Sequence, residues 1–424
     1  MRGERAGDRL VHVVWRVRRA SCVATSGVAV SADYQDRLVT TLLLSLATLG
    51  VVCSLVYYAA SLVAAMRFAA HLSDPAPPLP KPPPRIAVVK PLSGLSPSLL
   101  ANLASYLESG YPRADFFFAV PGYEDRAAEA PVALRSQYPY ASITLVVGDE
   151  AGVANRKIAK VIRMVERAGR ADAFVLSDAD ISVERGHLER LIGELFADER
   201  VGLVTCAYRA RPAGSFASRL AALFVNTDFA PMVMLAAAVE PLRYAFGATI
   251  AVRREALEAA GGMRPLGDKL ADDFELGRAV VACGWEARLS RSLVTSASEE
   301  RNFGEFWRRK LRWARTYRTM RPVSLLTILI NGPLWALVML AVTRRPAALA
   351  VCAAVIAARL ATSALILART LKLPELMRDV WLVPLKDLVM AAIWAVSLIG
   401  NEVAWGGRRF TISRDGVMRE IADG

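Results

Sequence analysis

The chain has 424 residues, 54% of them hydrophobic, and a formal net charge of +13 at pH 7. Its mean hydropathy of +0.31 is too high for a purely soluble protein, so part of the chain must face lipid. The basic residues are spread along the chain instead of forming one stripe, which favours anionic lipid or a diphosphate over nucleic acid as the partner.

The chain starts with an Arg-rich stretch that leads into an uncharged apolar run. We expect residues 1–37 to be a basic N-terminal tail with little fold information. Residues 38–66 contain no charge and exceed the roughly 20 helical residues that cross a bilayer, so they predict a transmembrane helix. Residues 67–84 include PAPPLPKPPP, which predicts an extended, stiff linker.

Residues 85–322 alternate short apolar runs with amphipathic stretches. The apolar runs predict strands at 85–92, 114–120, 142–149, 173–181 and 201–208, with helices between them. This alternation is typical of an α/β domain with a mostly parallel sheet. Because ligands of such sheets bind where the strands end, we expect the chemistry at the carboxyl edge.

The first candidate for chemistry is Asp178-Ala179-Asp180, at the end of the apolar run AFVLS. Two carboxylates one residue apart at a strand end can bind a divalent metal whose other ligands are phosphate oxygens. The alternative is a turn with a helix cap, which Asp180 or Ser182 could provide.

The second candidate is the acid pair Asp272-Asp273 before an apolar helix. A carboxylate near an acceptor hydroxyl can act as general base, and the alternative is again a cap. Asp272 is expected to point elsewhere and cap the following helix, so that its substitution costs stability more than rate. Upstream, residues 214–245 are apolar but interrupted by polar residues, and we interpret them as an interfacial patch for a lipid or as a buried core helix.

The third candidate is Arg309-Lys310-Leu311-Arg312-Trp313. It is either a basic belt with a tryptophan anchor beside the membrane, or an arginine site for a leaving diphosphate with an indole in the acceptor pocket.

Three apolar stretches follow, at 323–343, 346–368 and 379–400, and they predict transmembrane or interfacial helices. They contain Arg359, Lys386 and Asp387, which are costly in hydrocarbon unless paired or facing a cavity. The third stretch is therefore a candidate re-entrant or interfacial helix. Residues 401–424 are expected to form a C-terminal tail.

The positions of the cysteine and histidine residues disfavour disulfides, zinc sites and a Ser-His hydrolase. The five cysteines are far apart and show no disulfide or zinc spacing, which indicates a reducing compartment. The three histidines form no ligand-like pattern, so a zinc site or a Ser-His hydrolase is disfavoured.

Taken in order, these motifs resemble glycosyltransferase family 21, the ceramide glucosyltransferases and their bacterial hopanoid-pathway relatives. That family carries a DxD-like element, a later pair of acids and a (Q/R)xxRW motif before C-terminal spans. The resemblance covers roughly residues 85–322 and extends to the layout of the spans. Further similar features are Lys90-Pro91-Leu92 with Gly94, GVANRK at 152–157 and WGGRRF at 405–410.

The resemblance implies a GT-A fold, which is Rossmann-like, with N-terminal and C-terminal transmembrane helices. It implies a UDP-sugar donor, Mg²⁺ or Mn²⁺ as cofactor, and a membrane lipid as acceptor. Asp178 and Asp180 would hold the metal and the diphosphate, and Asp273 would be the base. Arg309, Arg312 and Trp313 would form the RxxRW element.

The resemblance also implies a donor site containing Lys90, Asn155 and Lys157. One departure concerns the uracil contact. After the second strand the family usually has an aspartate that helps to bind uridine, whereas this chain has Val-Pro-Gly-Tyr before Glu124 and Asp125. We expect Asp125 or Glu124 to substitute for it.

The predicted function is inverting transfer of a sugar to a lipid hydroxyl, with N-acetylglucosamine and a hopanoid polyol implied first and glucose and ceramide as the alternative. A processive polysaccharide synthase usually carries Gln where this chain has Arg309, and it has more spans. A membrane-tethered binding protein would have no reason to keep the three motifs in order. The expected location is the bacterial inner membrane, with the catalytic domain facing the cytoplasm, where the donor is made.

Overall fold

The computed structural model of the protein describes residues 32–421. Its first element is a 40-residue apolar helix, α1 (Ala32–His71), which covers the span predicted at 38–66. The linker predicted at 67–84 is shorter in the structure: residues 67–71 still belong to α1, and residues 72–84 contain no helix or strand. The tail predicted at 1–37 lies mostly outside the described residues.

An eight-stranded mixed sheet forms the centre of the α/β part. In spatial order the strands run β3-β2-β1-β4-β7-β6-β8-β5. Strands β3, β2, β1 and β4 are parallel, β7 is antiparallel to both of its neighbours, and β6 and β8 are parallel to each other. The bounds are β1 (Ile86–Pro91), β2 (Ala114–Val120), β3 (Ser142–Val147), β4 (Ala173–Ser177), β5 (Ile181–Ser182), β6 (Val201–Pro212), β7 (Thr249–Arg253) and β8 (Glu286–Ser298). The predicted α/β fold class with a mostly parallel sheet is confirmed.

Both faces of this sheet are buried. Along β1, Ile86 and Val88 belong to one apolar cluster and Ala87 and Val89 to another, because successive side chains of a strand point to opposite faces. Burial on both faces explains why the strand sequences are continuous apolar runs. The helices of this part are α2 (Leu99–Leu107), α3 (Glu129–Gln137), α4 (Arg156–Arg167), α5 (His187–Phe196), α6 (Phe216–Phe224), α7 (Ala230–Val239), α8 (Arg254–Ala259), α9 (Asp272–Ala282) and α10 (Phe303–Met320).

Apolar helices follow α10. They are a 3-10 stretch (Pro322–Ile330), α11 (Gly332–Thr343), α12 (Pro346–Leu365), a second 3-10 stretch (Pro374–Leu382) and α13 (Val383–Ser397). Four helical segments of the described chain are long and apolar enough to cross a membrane, or up to five if a bent pair counts as one. The four are Tyr34–His71, Phe216–Val239, Pro346–Thr370 and Pro374–Ser397.

Two segments differ from their predictions. The span predicted at 323–343 is not one straight helix, because the 3-10 stretch and α11 meet at an angle of 59° around Asn331. Asn331 accepts a hydrogen bond from Leu334 N and so starts a new helix at this point. The segment at 214–245 is a helix interrupted by a π turn (Val225–Phe229), and it is long enough to span as well as partly buried.

The charges within the apolar helices are paired, as the cost of burying them requires. Arg359 Nε lies 2.8 Å from Asp387 Oδ2, and its Nη2 lies 2.5 Å from Asp228 Oδ1. Lys386 Nζ contacts Asp228 and lies 2.5 Å from Asp387 Oδ1. We call these four residues the charge quartet. It joins the π turn of 216–239 to α12 and α13.

The segment predicted as a C-terminal tail forms a three-stranded antiparallel sheet within its described residues, 401–421. Its strands are β9 (Glu402–Trp405), β10 (Arg408–Ile412) and β11 (Met418–Glu420). The β9–β10 turn is Gly406-Gly407, with φ of 56° and 77°, a backbone that glycine adopts without strain. This hairpin differs from the predicted tail, although the Gly406-Gly407 pair in the sequence is typical of a hairpin turn.

Candidate active site

A cavity of about 940 Å³ lies at the carboxyl edge of the sheet. Its polar wall is formed by the turn after β4, the loop before β7, the start of α9, the segment after β8 and the inner face of α10. Its other wall is apolar and comes from the helices that can enter a membrane. That wall contains Met232, Val233 and Ala236 of α7, Val323 and Ile328 of the 3-10 stretch, and Met390 and Trp394 of α13.

The Asp178-Ala179-Asp180 turn lies at this edge because β4 ends at Ser177. Asp180 Oδ2 accepts a hydrogen bond from Ser296 Oγ at 3.0 Å and lies 3.6 Å from Arg309 Nη2. Burial raises the pKa of Asp180, and the positive charge of Arg309 opposes that rise. Both carboxylates line the cavity, as the sequence predicts.

Lys90 does not line the cavity. It is fully buried behind the Asp178–Asp180 turn, where its Nζ donates to Ser177 Oγ at 3.2 Å and to Ile181 O at 3.0 Å. Burial lowers the pKa of Lys90 to about 7. These contacts hold the two ends of the turn. A contact of Lys90 with the donor stays a prediction.

Lys157 lies between two carboxylates in the cavity wall. Its Nζ is 2.9 Å from Asp178 Oδ1 and 3.0 Å from Asp272 Oδ2. The expectation that Asp272 points elsewhere and caps a helix is wrong: α9 begins at Asp272 itself, and its carboxylate turns towards Lys157. The physical reason is the ion pair with Lys157, which lies 115 residues earlier in the chain and is invisible to local capping rules.

Asp273 lies beside the loop that precedes β7. Its Oδ2 accepts a hydrogen bond from Gly247 N at 2.7 Å, and its Oδ1 accepts one from Phe274 N at 2.8 Å. Burial, followed by the neighbouring charge of Asp272, raises the pKa of Asp273 to about 6. The side chain is therefore oriented by two backbone donors, ionised at neutral pH and able to accept a proton.

Helix α10 brings the RxxRW residues to the cavity. Asn302 begins the helix by accepting a hydrogen bond from Glu305 N at 3.0 Å. Arg309 Nη1 lies 3.1 Å from Glu300 Oε1. The Arg312 guanidinium has no ion-pair partner among the described residues, and burial lowers its pKa to about 10. Because that pKa remains well above 7, Arg312 is a cation free to meet an anion in the cavity.

Asn155 and Asp125 do not line the cavity either. Asn155 is buried and caps α4 by accepting from Lys157 N and Ile158 N, while its amide donates to Lys269 O at 2.9 Å. Asp125 accepts from Gly94 N at 2.9 Å and from Ala127 N at 2.9 Å. Both side chains fix loops that carry cavity residues. Direct contact of either residue with the donor stays a prediction.

Sequence reasoning missed several residues of the cavity. Glu299 and Glu300 follow β8 at the same carboxyl edge, and the strand-end rule that found Asp178 would have found them. Lys310 is buried and lies 4.3 Å from the Trp313 ring centroid and 4.4 Å from that of Phe224. Nothing in the sequence indicates that this lysine faces aromatic rings. Trp405 was recognised only as part of a motif.

The donor atoms of the Asp178–Asp180 turn fit a hard divalent cation. Two carboxylates line one cavity, and oxygen ligands are those that Mg²⁺ and Mn²⁺ prefer. No group of three or more Asp, Glu, His or Cys side chains in residues 32–421 is arranged to hold a metal by itself. A cation here would thus depend on additional oxygens from a ligand, as a phosphate supplies.

Comparison with known proteins identifies the family. The model of glycosyl transferase family 21 matches residues 26–418, and this confirms the resemblance found in the sequence. The chain is 23% identical over 243 residues to ceramide glucosyltransferase 3 of Caenorhabditis elegans, covering 57% of this chain and 52% of that protein. It is 23% identical over 252 residues to ceramide glucosyltransferase 1 of the same organism, covering 59% and 53%. The chain therefore spans about half the length of the curated relatives it matches.

Among solved structures, the chain is similar to the mannosyltransferase PcManGT from Pyrobaculum calidifontis in complex with GDP-Man and Mn²⁺. The identity is 20%, the TM-score is 0.48, and the match covers 82% of this chain and 99% of that one.

Proposed function

This chain belongs to glycosyltransferase family 21, and from that premise we propose that it transfers a sugar from a UDP-sugar to a hydroxyl of a membrane lipid, with inversion. One observation carries the proposal: a single cavity has Asp178, Asp180 and Asp273 in one wall and side chains of membrane-capable helices in the other. In this cavity the polar wall suits a charged donor, and the apolar wall suits a lipid acceptor.

The donor diphosphate is proposed to lie between the Asp178–Asp180 turn and α10. Asp178 and Asp180 would hold a Mg²⁺ or Mn²⁺ ion, which when bound would neutralise negative charge on the diphosphate. Arg309 and Arg312 line the same wall and add fixed positive charge where the leaving group gains negative charge. The Lys157 ammonium, held by Asp178 and Asp272, is a third cation at this wall.

Asp273 is proposed as the general base. Its carboxylate accepts the proton of the acceptor hydroxyl while that oxygen forms a bond to the anomeric carbon. The bond between the anomeric carbon and the diphosphate oxygen breaks, and UDP leaves with that electron pair. Attack from the face opposite the leaving group inverts the configuration. The hydrogen bonds from Gly247 N and Phe274 N keep the carboxylate oriented for this step.

For the acceptor, our first candidate is a hopanoid polyol that receives N-acetylglucosamine. The second candidate is ceramide that receives glucose, and a specific observation favours it: two matching relatives are named ceramide glucosyltransferases. The apolar wall of α7, the 3-10 stretch and α13 suits the hydrocarbon part of either lipid.

The test is a product assay with the purified full chain in detergent and MnCl₂. Labelled UDP-N-acetylglucosamine and labelled UDP-glucose are each incubated with a hopanoid polyol, with ceramide and with total bacterial lipid. A single labelled glycolipid that is absent with Asp273→Asn supports the proposal, and the donor and lipid that yield it select between the candidates. A labelled polymer would show a processive synthase, and no product with any donor would reject lipid glycosylation.

A further inference from the structure

The hairpin of β9 and β10, residues 402–412, reaches into the cavity although it lies at the far end of the chain. Trp405, Gly406, Arg408 and Phe410 all line the cavity. Arg408 pairs with Trp405 across the two-residue turn, so the turn presents these residues next to each other. We call residues 402–412 the C-terminal hairpin.

Strand β11, which pairs with β10, and the turn before it are fastened to the loop that leads to the acid pair. Met418 N donates to Asp268 O at 2.8 Å, and Leu270 N donates to Gly416 O at 3.1 Å. Leu270 is also buried in an apolar cluster with residues of β9, β10 and β11. That cluster consists of Leu270, Val403, Phe410, Ile412 and Met418.

The C-terminal hairpin itself is fastened to α10 through arginines spaced three apart. Arg315 donates to Glu402 O and, at 2.9 Å, to Ile399 O. Arg318 donates to Gly400 O at 2.7 Å. Arg312, one turn earlier on the same helix face, lies over Trp405, with 5.7 Å from its Cζ to the ring centroid. The C-terminal hairpin thus connects the loop that precedes Asp273 with the helix that carries Arg312.

Arg312 differs from its two neighbours on that face. Arg315 and Arg318 have carbonyl acceptors, whereas in the described part of the chain the Arg312 guanidinium has neither a carboxylate nor a carbonyl partner. The Trp405 ring is therefore the contact that restricts its direction. An aromatic face orients a guanidinium without neutralising it, so the charge stays available to an anion.

We propose that Trp405 is a positioning residue that holds the Arg312 guanidinium towards the cavity, which makes the C-terminal hairpin part of the diphosphate-binding site. This inference rests on the proposed function, because it takes a nucleoside diphosphate as the anion. It assigns a role to the WGGRRF motif. It also couples binding of the leaving group to a segment that follows the end of α10 by 82 residues, from Met320 to Glu402.

The test is calorimetric titration of UDP, with MnCl₂ present, into the full chain in detergent. Trp405→Ala removes the ring, and UDP binding should weaken by about threefold to thirtyfold, the range of one cation–π contact. Trp405→Phe keeps an aromatic face and should restore most of the affinity. In an Arg312→Ala background, Trp405→Ala should have little additional effect, because Trp405 acts through that arginine.

Two control variants separate positioning from folding. Val403→Ala loosens the same apolar cluster without touching the cavity, and Arg409→Ala alters an exposed side chain of β10. Both should bind UDP as the unaltered chain does, even if Val403→Ala lowers the melting temperature.

Three results would overturn the inference: equal UDP binding by Trp405→Ala, a full additional loss in the Arg312→Ala background, or an equal loss with Val403→Ala. If the unaltered chain itself binds no UDP, the proposed function fails instead.

Discussion

Asp273 and Asp272 are adjacent in the chain but have different surroundings. Asp273 is held by two backbone N–H groups beside the Gly247 loop, and Asp272 is paired with Lys157. Successive residues of an α-helix are rotated by about 100° about its axis, so the two neighbouring carboxylates point in different directions. Both still line the cavity, at different contacts. Asp273 is therefore the proposed base, and Asp272 forms an ion pair with Lys157.

Substitution of Asp273 by Asn should remove the proton acceptor while preserving volume. Turnover should fall by roughly 10²–10⁴-fold, the usual worth of general-base catalysis, while UDP binding changes little. Steady-state kinetics and UDP titration measure the two effects. Asp180→Asn should weaken UDP binding as well, since Asp180 lies on the donor side, and Asp115→Asn, far from the cavity, is the matched control.

The sequence predicts that Asp272→Asn lowers stability more than rate, but the ion pair with Lys157 changes this prediction. It leaves Lys157 with Asp178 alone, so we expect a change in donor binding that is larger than any loss of stability. A normal rate with Asp273→Asn, together with an inactive Asp272→Asn, would move the base assignment to Asp272.

The pH dependence of kcat/KM should report the ionisation of Asp273. Burial and the charge of Asp272 raise its pKa to about 6, and only the ionised carboxylate can accept a proton. Activity should therefore be nearly constant above pH 7 and fall as the pH drops through about 6. Rates measured between pH 5 and 8 in one buffer series check this, and a flat profile down to pH 5 would contradict it.

Chelation of divalent cations should stop turnover. Asp178 and Asp180 are negatively charged groups, and they cannot hold a diphosphate without a cation between them. Treatment with excess EDTA followed by addition of MgCl₂ or MnCl₂ should abolish and then restore product formation. Full activity in EDTA would favour a capping and turn-forming role for the Asp178–Asp180 motif.

At the scale of elements, the charge quartet explains how charged residues are accommodated in apolar helices. Arg359 and Lys386 are each in contact with both Asp228 and Asp387, so two positive and two negative charges meet in one cluster. The quartet links three helical segments that are far apart in sequence. Asp228, Arg359 and Asp387 also line the cavity, which places this link beside the apolar wall.

Arg359→Met should destabilise the fold because it leaves the quartet with an excess negative charge. Breaking a buried pair from one side costs about 3–5 kcal/mol, so the melting temperature in detergent should drop clearly. Arg369→Met, at an exposed position just after α12, is the matched control and should have little effect. Arg359→Met with Asp387→Leu removes one charge of each sign and should recover much of the loss. Unchanged melting of Arg359→Met would show that the quartet does not hold these helices together.

At the scale of the whole molecule, the cavity lies where the α/β part meets the helices that can enter a membrane. In the proposed function the lipid lies along the apolar wall and the donor along the polar wall, and Asp273 lines the same cavity. The bend of 59° between the 3-10 stretch and α11 contributes to this arrangement, since the 3-10 stretch lies against the cavity instead of continuing α11.

The α/β part is expected to face the cytoplasm, because nucleotide sugars are made there. Lys and Arg are enriched on the cytoplasmic side of membrane spans, but here they lie on both sides of the first span. Those that follow it are Arg67, Lys81, Arg85 and Lys90, and several arginines within residues 1–37 precede it. A tag inserted in the linker at 75–84 should be cleaved by protease added to sealed inverted vesicles. Protection of the tag would place the α/β part on the other side of the membrane.

The sequence by itself determined the order of strands and helices between residues 85 and 208, the apolar helices and the positions of the three acidic and basic motifs. These features depend on local periodicity and on residue order, which are present in the chain before it folds. The rule that ligands bind where strands end also predicted the position of Asp178 and Asp180. Both line the cavity, because β4 ends at Ser177.

Only the tertiary structure decided which side chains meet. Lys90 and Asn155 belong to the predicted motifs, and the structure shows that both are buried, with Lys90 in contact with Ser177 and Asn155 at the start of α4. Asp272 faces Lys157 instead of capping its helix, and Trp405 faces Arg312 across a long sequence separation. Side-chain direction and long-range pairing depend on how the elements pack, and packing has no local signature in the sequence.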